Sequence, residues 1–298
     1  MNTVLLNTDV SSDGLLQYAY DNFASVFSEN ILEYAFAYAE IPRDQITKKQ
    51  REAAQSLLKL HEIDRLRYYL ERDIPEEEWD PDFLRWYEKK GVLGEIILHM
   101  ILKEFKNTIP LISKMYFKDS FSQEAKGFDA VHVSQDGQTL WLGETKFYKA
   151  WKTNGVIKGG IDELVGDLKK HITKDYLTEQ YVIIKRGLEA QLEHPQRAVW
   201  IEKLSKPVLL KDVFQYICIP LLCIYEDNIA LDYLKAVDDA IKDADIVTHT
   251  TTLRDYYNSI NTFPYRERVQ TVLILMPIEA KKKLVKCMIE KIWHMQSI

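Results

Sequence analysis

Residues 127–146 read GFDAVHVSQDGQTLWLGETK, and this stretch decides the fold that we expect for the chain. Apolar and polar residues alternate along it with a period of two, which is typical of β-strands with one buried face. The segment QDGQ at 135–138 separates two such runs and contains an Asp-Gly pair, which is favoured in tight turns. We therefore predict two antiparallel strands, over 128–134 and 139–148, joined by a hairpin turn.

The position of the turn sets the register of this hairpin. If Asp136 and Gly137 form its centre, residues whose numbers add to the same sum lie opposite each other, so Asp129 faces Glu144. Side chains alternate between the faces of a strand, so Lys146 lies on the same face as Glu144. Toward the turn, this face continues with the apolar residues Val131, Val133, Leu140 and Leu142. Two carboxylates and an amine are thus expected at one end of a buried face.

This grouping suits the hydrolysis of a phosphodiester bond. Mg²⁺ prefers oxygen ligands and keeps several of its waters, so Asp129 and Glu144 are predicted to bind it, with Mn²⁺ able to substitute. Lys146 is the predicted catalytic amine, which orients or deprotonates the attacking water and offsets negative charge. Glu95 lies among apolar residues of a predicted helix, where an acid is costly unless it is paired or coordinating. We therefore expect Glu95 to be a supporting metal ligand.

A triplet of the form Glu-x-Lys also occurs by chance in many proteins. The alternative interpretation of Glu144 and Lys146 is an ion pair across strands, or a structural network of such pairs. The correctly spaced Asp129 and the acid in the preceding helix favour a metal-dependent phosphodiesterase site over that alternative.

Three short segments together resemble a known superfamily. They are GE at 94–95, GFDAVH at 127–132 and GETKFY at 143–148, and this pattern is similar to that of the PD-(D/E)xK nucleases. More closely, it resembles the HamA family of nuclease subunits in Hachiman anti-phage defence. Phe128 stands where the superfamily motif has proline, a position that tolerates change. The segment Gln-x-x-x-Tyr of RecB-like exonucleases does not follow the triplet, so dependence on DNA ends stays open.

The resemblance implies a restriction-endonuclease-like α/β fold, a mixed sheet flanked by helices, with an N-terminal helical region. By this resemblance Asp129 and Glu144 bind Mg²⁺, Lys146 is catalytic and Glu95 contributes to the metal site. DNA is the implied substrate. The implied partner is a superfamily 2 helicase, HamB, which restrains or licenses the nuclease.

The rest of the chain is expected to form one compact unit with this hairpin. It comprises an N-terminal helical region over 1–90 and an α/β core over 91–298 that includes a C-terminal helix. Helical periodicity covers 13–70 and starts again near residues 82 and 91. Beyond the hairpin, we predict helices at 160–172, 228–244 and 277–296, and strands at 181–185, 213–225 (in two pieces around Pro220) and 269–276.

The charge balance limits how the chain can contact DNA. The sequence has 39 Lys and Arg against 45 Asp and Glu, a formal net charge of -6, which does not indicate a generally basic surface. Any DNA contact must therefore be local. The lysine-rich window 146–174 offers candidate DNA-binding residues in Lys149, Lys152 and Lys158, with a solvated lysine-rich face as the alternative.

Other kinds of site find little support in the sequence. The three cysteines lack CxxC spacing and are expected to be buried free thiols. The histidines form no HExxH pair; His132 is interpreted as structural, and His171 as a cation at a helix C-terminus. No apolar run approaches the length of a membrane helix, so we expect a cytoplasmic protein without membrane contact.

Two functions are therefore weighed. The first is Mg²⁺-dependent hydrolysis of DNA in anti-phage defence, controlled by a partner helicase. The second is a catalytically inactive module with the same fold that binds nucleic acid or a helicase. The complete trio of Asp129, Glu144 and Lys146 favours the enzyme.

Overall fold

A computed structural model describes residues 2–10, 16–37, 41–89, 91–112, 127–148, 156–227, 229, 232 and 239–297. Within these ranges, six strands form a mixed sheet: β1 (Asn2–Thr3), β4 (Thr108–Pro110), β5 (Ala130–Ser134), β6 (Leu140–Tyr148), β7 (Ile217–Glu226) and β8 (Gln270–Ile278). From one edge to the other, they lie in the order β1-β8-β7-β6-β5-β4. The strands β6, β7, β8 and β1 run parallel, and β5 and β4 continue the sheet in antiparallel fashion.

Helices cover both faces of this sheet, which confirms the predicted α/β class. In chain order they are α1 (Tyr20–Phe36), α2 (Ile46–Leu57), α3 (Leu60–Glu71), α4 (Pro81–Lys89), α5 (Val92–Lys106), α6 (Val156–His171), α7 (Lys174–Ala190), α8 (Arg197–Leu204), α9 (Leu210–Val213), α10 (Asp239–Ile260) and α11 (Lys281–Ser297). None of the described helices is both long and apolar enough to cross a membrane.

Two hydrophobic cores lie on opposite faces of the sheet, because alternate residues of each central strand point to opposite sides. In β7, Leu222 and Ile224 belong to one core, and Leu221 and Cys223 belong to the other. The first core contains residues of α1 to α5 and α11, and the second contains residues of α6, α7, α8 and α10. The boundary predicted at residue 90 stays a prediction, but helices from both sides of it share the first core.

The N-terminal segment differs from the helical pattern that was predicted from residue 13. Residues Thr8–Val10 (β2) and Leu16–Tyr18 (β3) form a small antiparallel pair, and α1 begins only at Tyr20. The strand β1 was also not expected; it adds to the main sheet beside β8. A strand of two residues is too short to show periodicity, so only pairing over a long sequence separation defines it.

The strand predicted at 181–185 is wrong, because these residues lie inside helix α7. The β-branched residues of this segment suggested a strand, but Leu177, Tyr181, Ile184 and Leu188 are buried at helical spacing. Thr173 caps this helix by accepting a hydrogen bond from the backbone N–H of Tyr176 at 3.4 Å. The buried face of a seventeen-residue amphipathic helix therefore outweighs the local strand propensity.

The predicted break at Pro220 is also wrong, since β7 is one continuous strand. Pro220 pairs with Val272 of β8. On the other side, pairing of β7 with β6 stops after Trp141 and Cys218 and resumes at Glu144 and Leu221. The missing N–H of proline therefore interrupts only one ladder, and the other ladder keeps the strand intact.

The last two predicted helices differ in their limits. The helix predicted at 228–244 lies largely outside the described residues, and α10 runs from Asp239 to Ile260. The C-terminal helix does not begin at Pro277, which belongs to β8 and pairs with Tyr225. This proline lies near the strand end, beyond the residues paired with β1, where a missing donor costs little. The helix α11 begins at Lys281.

Candidate active site

The β5–β6 hairpin has the predicted register. Ala130 pairs with Gly143, and Val133 pairs with Leu140, so the numbers of paired residues add to the predicted sum. Gly137 has a φ of 69°, a left-handed conformation that suits glycine in this turn. As predicted, the apolar stripe of the hairpin belongs to the core on the α6 side of the sheet.

Asp129 lies immediately before the paired part of β5. Its backbone N–H donates to the carbonyl of Gly143 at 2.8 Å, and its Oδ2 accepts from the backbone N–H of Thr145 at 2.8 Å. Both partners are direct chain neighbours of Glu144. The hairpin backbone therefore holds the Asp129 carboxylate beside the strand position that carries Glu144.

Glu144 is buried, with 5% of its surface exposed. Its Oε1 lies 2.7 Å from Nδ1 of His171. The two atoms are at ion-pair distance, yet neither has a well-formed hydrogen bond, because the approach between them is not aligned for one. Burial raises the pKa of Glu144 above its ordinary value, and the adjacent His171 opposes that rise.

Lys146 follows on the same face and points to helix α6. Its Nζ lies 2.9 Å from Oδ2 of Asp167 and 4.0 Å from Oε2 of Glu163. Burial alone would lower the pKa of Lys146, but the hydrogen bond and charge of Asp167 raise it above its ordinary value. The amine is therefore held as a cation next to the carboxylates of the hairpin.

Helix α6 aligns its side chains with those of β6. Glu163, Asp167 and His171 are spaced by four residues, so they lie along one face of the helix. His171 meets Glu144 and Asp167 meets Lys146, while Glu163 together with burial raises the pKa of Tyr148 farther along the strand. This spacing is present in the sequence, but only the packing of α6 on β6 shows which residues pair.

A close approach of α6 to β6 makes this alignment possible. A Cβ atom at Gly160 would lie 2.8 Å from the ring of Tyr148 and 2.9 Å from Sγ of Cys223. Any larger residue there would push the helix away from the strand.

His171 is also fixed by aromatic neighbours. Its ring stacks on Tyr176, with centroids 4.2 Å apart and planes at 11°, and Phe128 meets its edge at 5.2 Å. His171 is the last residue of α6, as predicted, but its nearest charged partner is the buried Glu144. The sequence interpretation did not find this contact, nor those of Asp167 and Tyr176.

Glu95 lies on helix α5, which packs on the other face of the sheet. The hydroxyl of Tyr34 donates a hydrogen bond to Oε2 of Glu95. Burial raises the pKa of Tyr34 well above its ordinary value, and the charges of Glu95 and Asp129 raise it further. The Tyr34 hydroxyl is thus hydrogen-bonded to Glu95 and also within reach of the charge of Asp129.

His132 has the structural environment that was predicted for it. It is buried on the α5 side, shares a hydrogen bond of 3.0 Å with His99 and another of 2.8 Å with Thr108. Burial lowers the pKa of His132 well below its ordinary value and that of His99 to about 3. Both rings are therefore neutral members of a hydrogen-bonded core.

The predicted DNA-binding lysines are only partly described. Lys149 and Lys152 lie outside the described residues. Lys158 is exposed near the start of α6, and its Nζ lies 5.0 Å above the ring centre of Tyr256. A role of these lysines in DNA contact stays a prediction. The cysteines are free thiols as predicted; Cys218 and Cys223 are buried, and Cys287 is half-buried.

The donor set of the site fits a hard cation. Among the described residues, no three His, Cys, Asp or Glu side chains converge on a preformed metal site. Mg²⁺ does not need such a cage, because one or two carboxylates suffice when water and substrate phosphate complete its shell. Oε1 of Glu144 is a buried oxygen without a well-formed hydrogen bond, and the Asp129 carboxylate is bonded to the backbone N–H of the next residue, Thr145. These residues therefore fit the expected ion.

Comparison with known proteins gives one match. The sequence model of the family described as HamA matches residues 2–292, nearly the whole chain. No curated protein and no solved structure matches the chain significantly.

Proposed function

The chain belongs to the HamA family, which works in Hachiman anti-phage defence, and we propose from this premise that it is a Mg²⁺-dependent nuclease that hydrolyses DNA. The observation that carries the proposal is the placement of Glu144 and Lys146 on one face of β6, with Asp129 held beside them by the hairpin backbone. A phosphodiesterase of the PD-(D/E)xK type needs two carboxylates and an amine at one place.

Each residue of the trio has a role in this proposal. Asp129 and Glu144 would hold Mg²⁺, and the ion when bound would supply charge that polarises the phosphate and favours a nucleophile at neutral pH. The amine of Lys146 orients the attacking water and offsets the charge that develops on the phosphoryl oxygens. Glu95, bonded to Tyr34, supports the site from the α5 side. The mixed sheet with helices on both faces is compatible with a restriction-endonuclease-like core.

The partner in this proposal is the helicase HamB. The net charge of -6 gives the chain little general attraction for DNA, so a second protein that delivers DNA is useful to it. The helicase would restrain the nuclease until the helicase binds invading DNA.

A second function is favoured by one observation, namely that Glu144 and Lys146 already contact side chains of α6. Such pairs are also what a structural ion-pair network would contain. In that case the chain would be an inactive module that binds nucleic acid or the helicase, and Lys146 would contribute only to affinity.

Plasmid cleavage separates the two functions. The purified chain is incubated with plasmid and either Mg²⁺ or EDTA, alone and with the helicase. Lys146→Ala should lower the cleavage rate by roughly 10²- to 10⁴-fold, because the amine acts on the reacting groups. DNA affinity should fall only modestly, because one phosphate contact among several is lost. Lys206→Ala is the matched control, since Lys206 is exposed and its ion pair among the described residues is with Glu202 of α8 at 3.1 Å.

The opposite outcome would establish the binding module. In that case neither wild type nor Lys146→Ala cuts DNA under any condition, and both protect cells against phage equally when the helicase is present. Unrestrained wild type should otherwise be toxic to cells, and Lys146→Ala harmless.

A further inference from the structure

A lysine that acts on a single water or phosphoryl oxygen must be held in place. The lysine side chain has four rotatable bonds, and fixing it costs conformational entropy. Strand β6 fixes only the Cα position of Lys146, at the base of this side chain. The direction of the amine therefore depends on whichever group binds Nζ.

Asp167 is that group among the described residues. Its Oδ2 lies 2.9 Å from Nζ of Lys146, and its Oδ1 accepts a hydrogen bond from Nζ of Lys170 at 3.0 Å. Lys170 is one helical turn away on α6 and binds the other oxygen, so it does not compete for the oxygen that meets Lys146. Glu163 is a weaker candidate, because it is 4.0 Å from the amine and 60% exposed.

The surroundings of the contact also indicate a fixed geometry. The side chains of Lys146 and Asp167 are only 26% and 22% exposed. The helix backbone is held close to β6 at Gly160, so Asp167 cannot drift from the strand as a side chain on a loop could. A partly buried carboxylate on a closely packed helix therefore anchors the amine, and the exposed Lys170 adds little to its rigidity.

We propose that Asp167 is a positioning residue for the proposed nuclease reaction, which aims the Lys146 amine at the phosphate without touching substrate. This inference rests on the proposed function of Lys146. It adds that the reactive direction of the amine is set by helix α6 and not by the motif strand. The pair should contribute little to global stability, because water still reaches both side chains and screens their attraction.

The kinetic test uses Asp167→Asn, which keeps size and helix compatibility but removes the charge. We expect kcat to fall by roughly 10- to 100-fold, which is the usual effect of displacing a reactive group or removing a contact that supports it. KM for plasmid should not rise, because an acid near the phosphates is removed. Asp162→Asn, an exposed aspartate of the same helix bonded to Tyr256, should keep wild-type kcat. In the Lys146→Ala background, Asp167→Asn should have no further effect.

A second measurement reports on the contact without any cleavage. The Lys146 ammonium protons are detected by NMR of the ¹⁵N-labelled protein in EDTA at low temperature, and the signal is assigned by its absence in Lys146→Ala. A hydrogen-bonded ammonium exchanges its protons slowly, so the signal should disappear in Asp167→Asn and persist in Asp162→Asn. Asp167→Glu, which keeps the charge at a longer reach, should restore part of both the signal and kcat.

The outcomes distinguish the two proposals. If wild type cleaves and Lys146→Ala does not, but Asp167→Asn cleaves like wild type, the positioning role is overturned and the proposed function stands. An unchanged ammonium signal in Asp167→Asn overturns the inference whatever the activity. If wild type never cleaves, the proposed function fails and the positioning role fails with it, while the NMR signal still decides whether Asp167 holds the amine.

Discussion

The β5–β6 hairpin packs against α5 on one face and against α6 on the other, and its polar side chains differ between the two. On the α5 face, His132 is hydrogen-bonded to His99 and Thr108, and burial keeps both rings neutral. On the α6 face, Glu144 and Lys146 lie opposite ionisable partners of the helix. The two histidines of the α5 face are therefore neutral and hydrogen-bonded, whereas Glu144 and Lys146 of the α6 face are ionisable residues that meet ionisable partners.

The difference shows how one hairpin combines stability with a reactive site. Neutral hydrogen bonds in a core need no counter-charge and leave little for a ligand to bind. A buried carboxylate such as Glu144 is costly, and a cation that binds it lowers that cost. Binding free energy is therefore available on the α6 face.

The largest expected effect comes from removing a carboxylate of the charged face. Asp129→Ala and Glu144→Ala should each abolish Mn²⁺ binding in calorimetric titration and abolish cleavage, because each removes an oxygen ligand. In EDTA, Glu144→Ala should leave the free energy of unfolding unchanged or higher, since a buried carboxylate is costly without a cation. Asp129→Ala should lower it slightly, because the backbone N–H of Thr145 loses its acceptor. Glu202→Ala, at an exposed position, should bind Mn²⁺ like wild type. Unchanged affinity in both ligand variants would disprove the metal site.

Lowering the pH should reduce the free energy of unfolding through the two buried histidines of the α5 face. His99 and His132 have pKa values below the ordinary value of 6.5, so the unfolded chain binds more protons than the folded chain once the pH falls below 6.5. Their contribution to stability is complete above that pH and is lost progressively as the pH falls from 6.5 toward the folded-state pKa values, about 3 for His99, by at most about 1.4 kcal/mol per pH unit for each histidine. Urea unfolding at several pH values measures this slope.

A double variant, His99→Gln with His132→Gln, should reduce that slope. It should not abolish it, because burial also lowers the pKa values of His194 and His249. Glu144 acts in the opposite direction: its pKa is raised, so its contribution is present below about pH 4.5 and is lost as the pH rises. An unchanged slope in the double variant would contradict the neutral, buried state of the pair.

The smallest effect concerns the packing that separates the two faces. A Cβ atom at Gly143 would lie 2.7 Å from a methyl of the buried Leu98 and 3.2 Å from the ring of Pro220. Gly143→Ala should therefore lower the free energy of unfolding by roughly 1–3 kcal/mol. Gly159→Ala is the matched control; its Cβ would meet no atom within 4 Å, and it should stabilise α6 by about 0.5–1 kcal/mol. Equal stability of the two variants in urea would mean that α5 can shift away from β6.

The features that could be predicted from the sequence are those determined by residues close together in the chain. The Asp-Gly turn and the alternation beside it correctly gave the hairpin register and the apolar stripe. Helix α5 begins beside Gly91, as its local pattern indicated. The segment at 181–185 was misread, because its strand propensity is outweighed by the long helix that contains it.

The sequence by itself determined that Glu144 and Lys146 share one face of a strand, because side-chain alternation is a property of the strand alone. It also determined that Asp129 lies at the same end of the hairpin, because a tight turn fixes the register of the strands that it joins. Only the tertiary structure decided that Asp167 meets Lys146 and His171 meets Glu144. These pairs join residues more than twenty positions apart, and no local pattern sets how a helix is aligned along a strand; packing at Gly160 does.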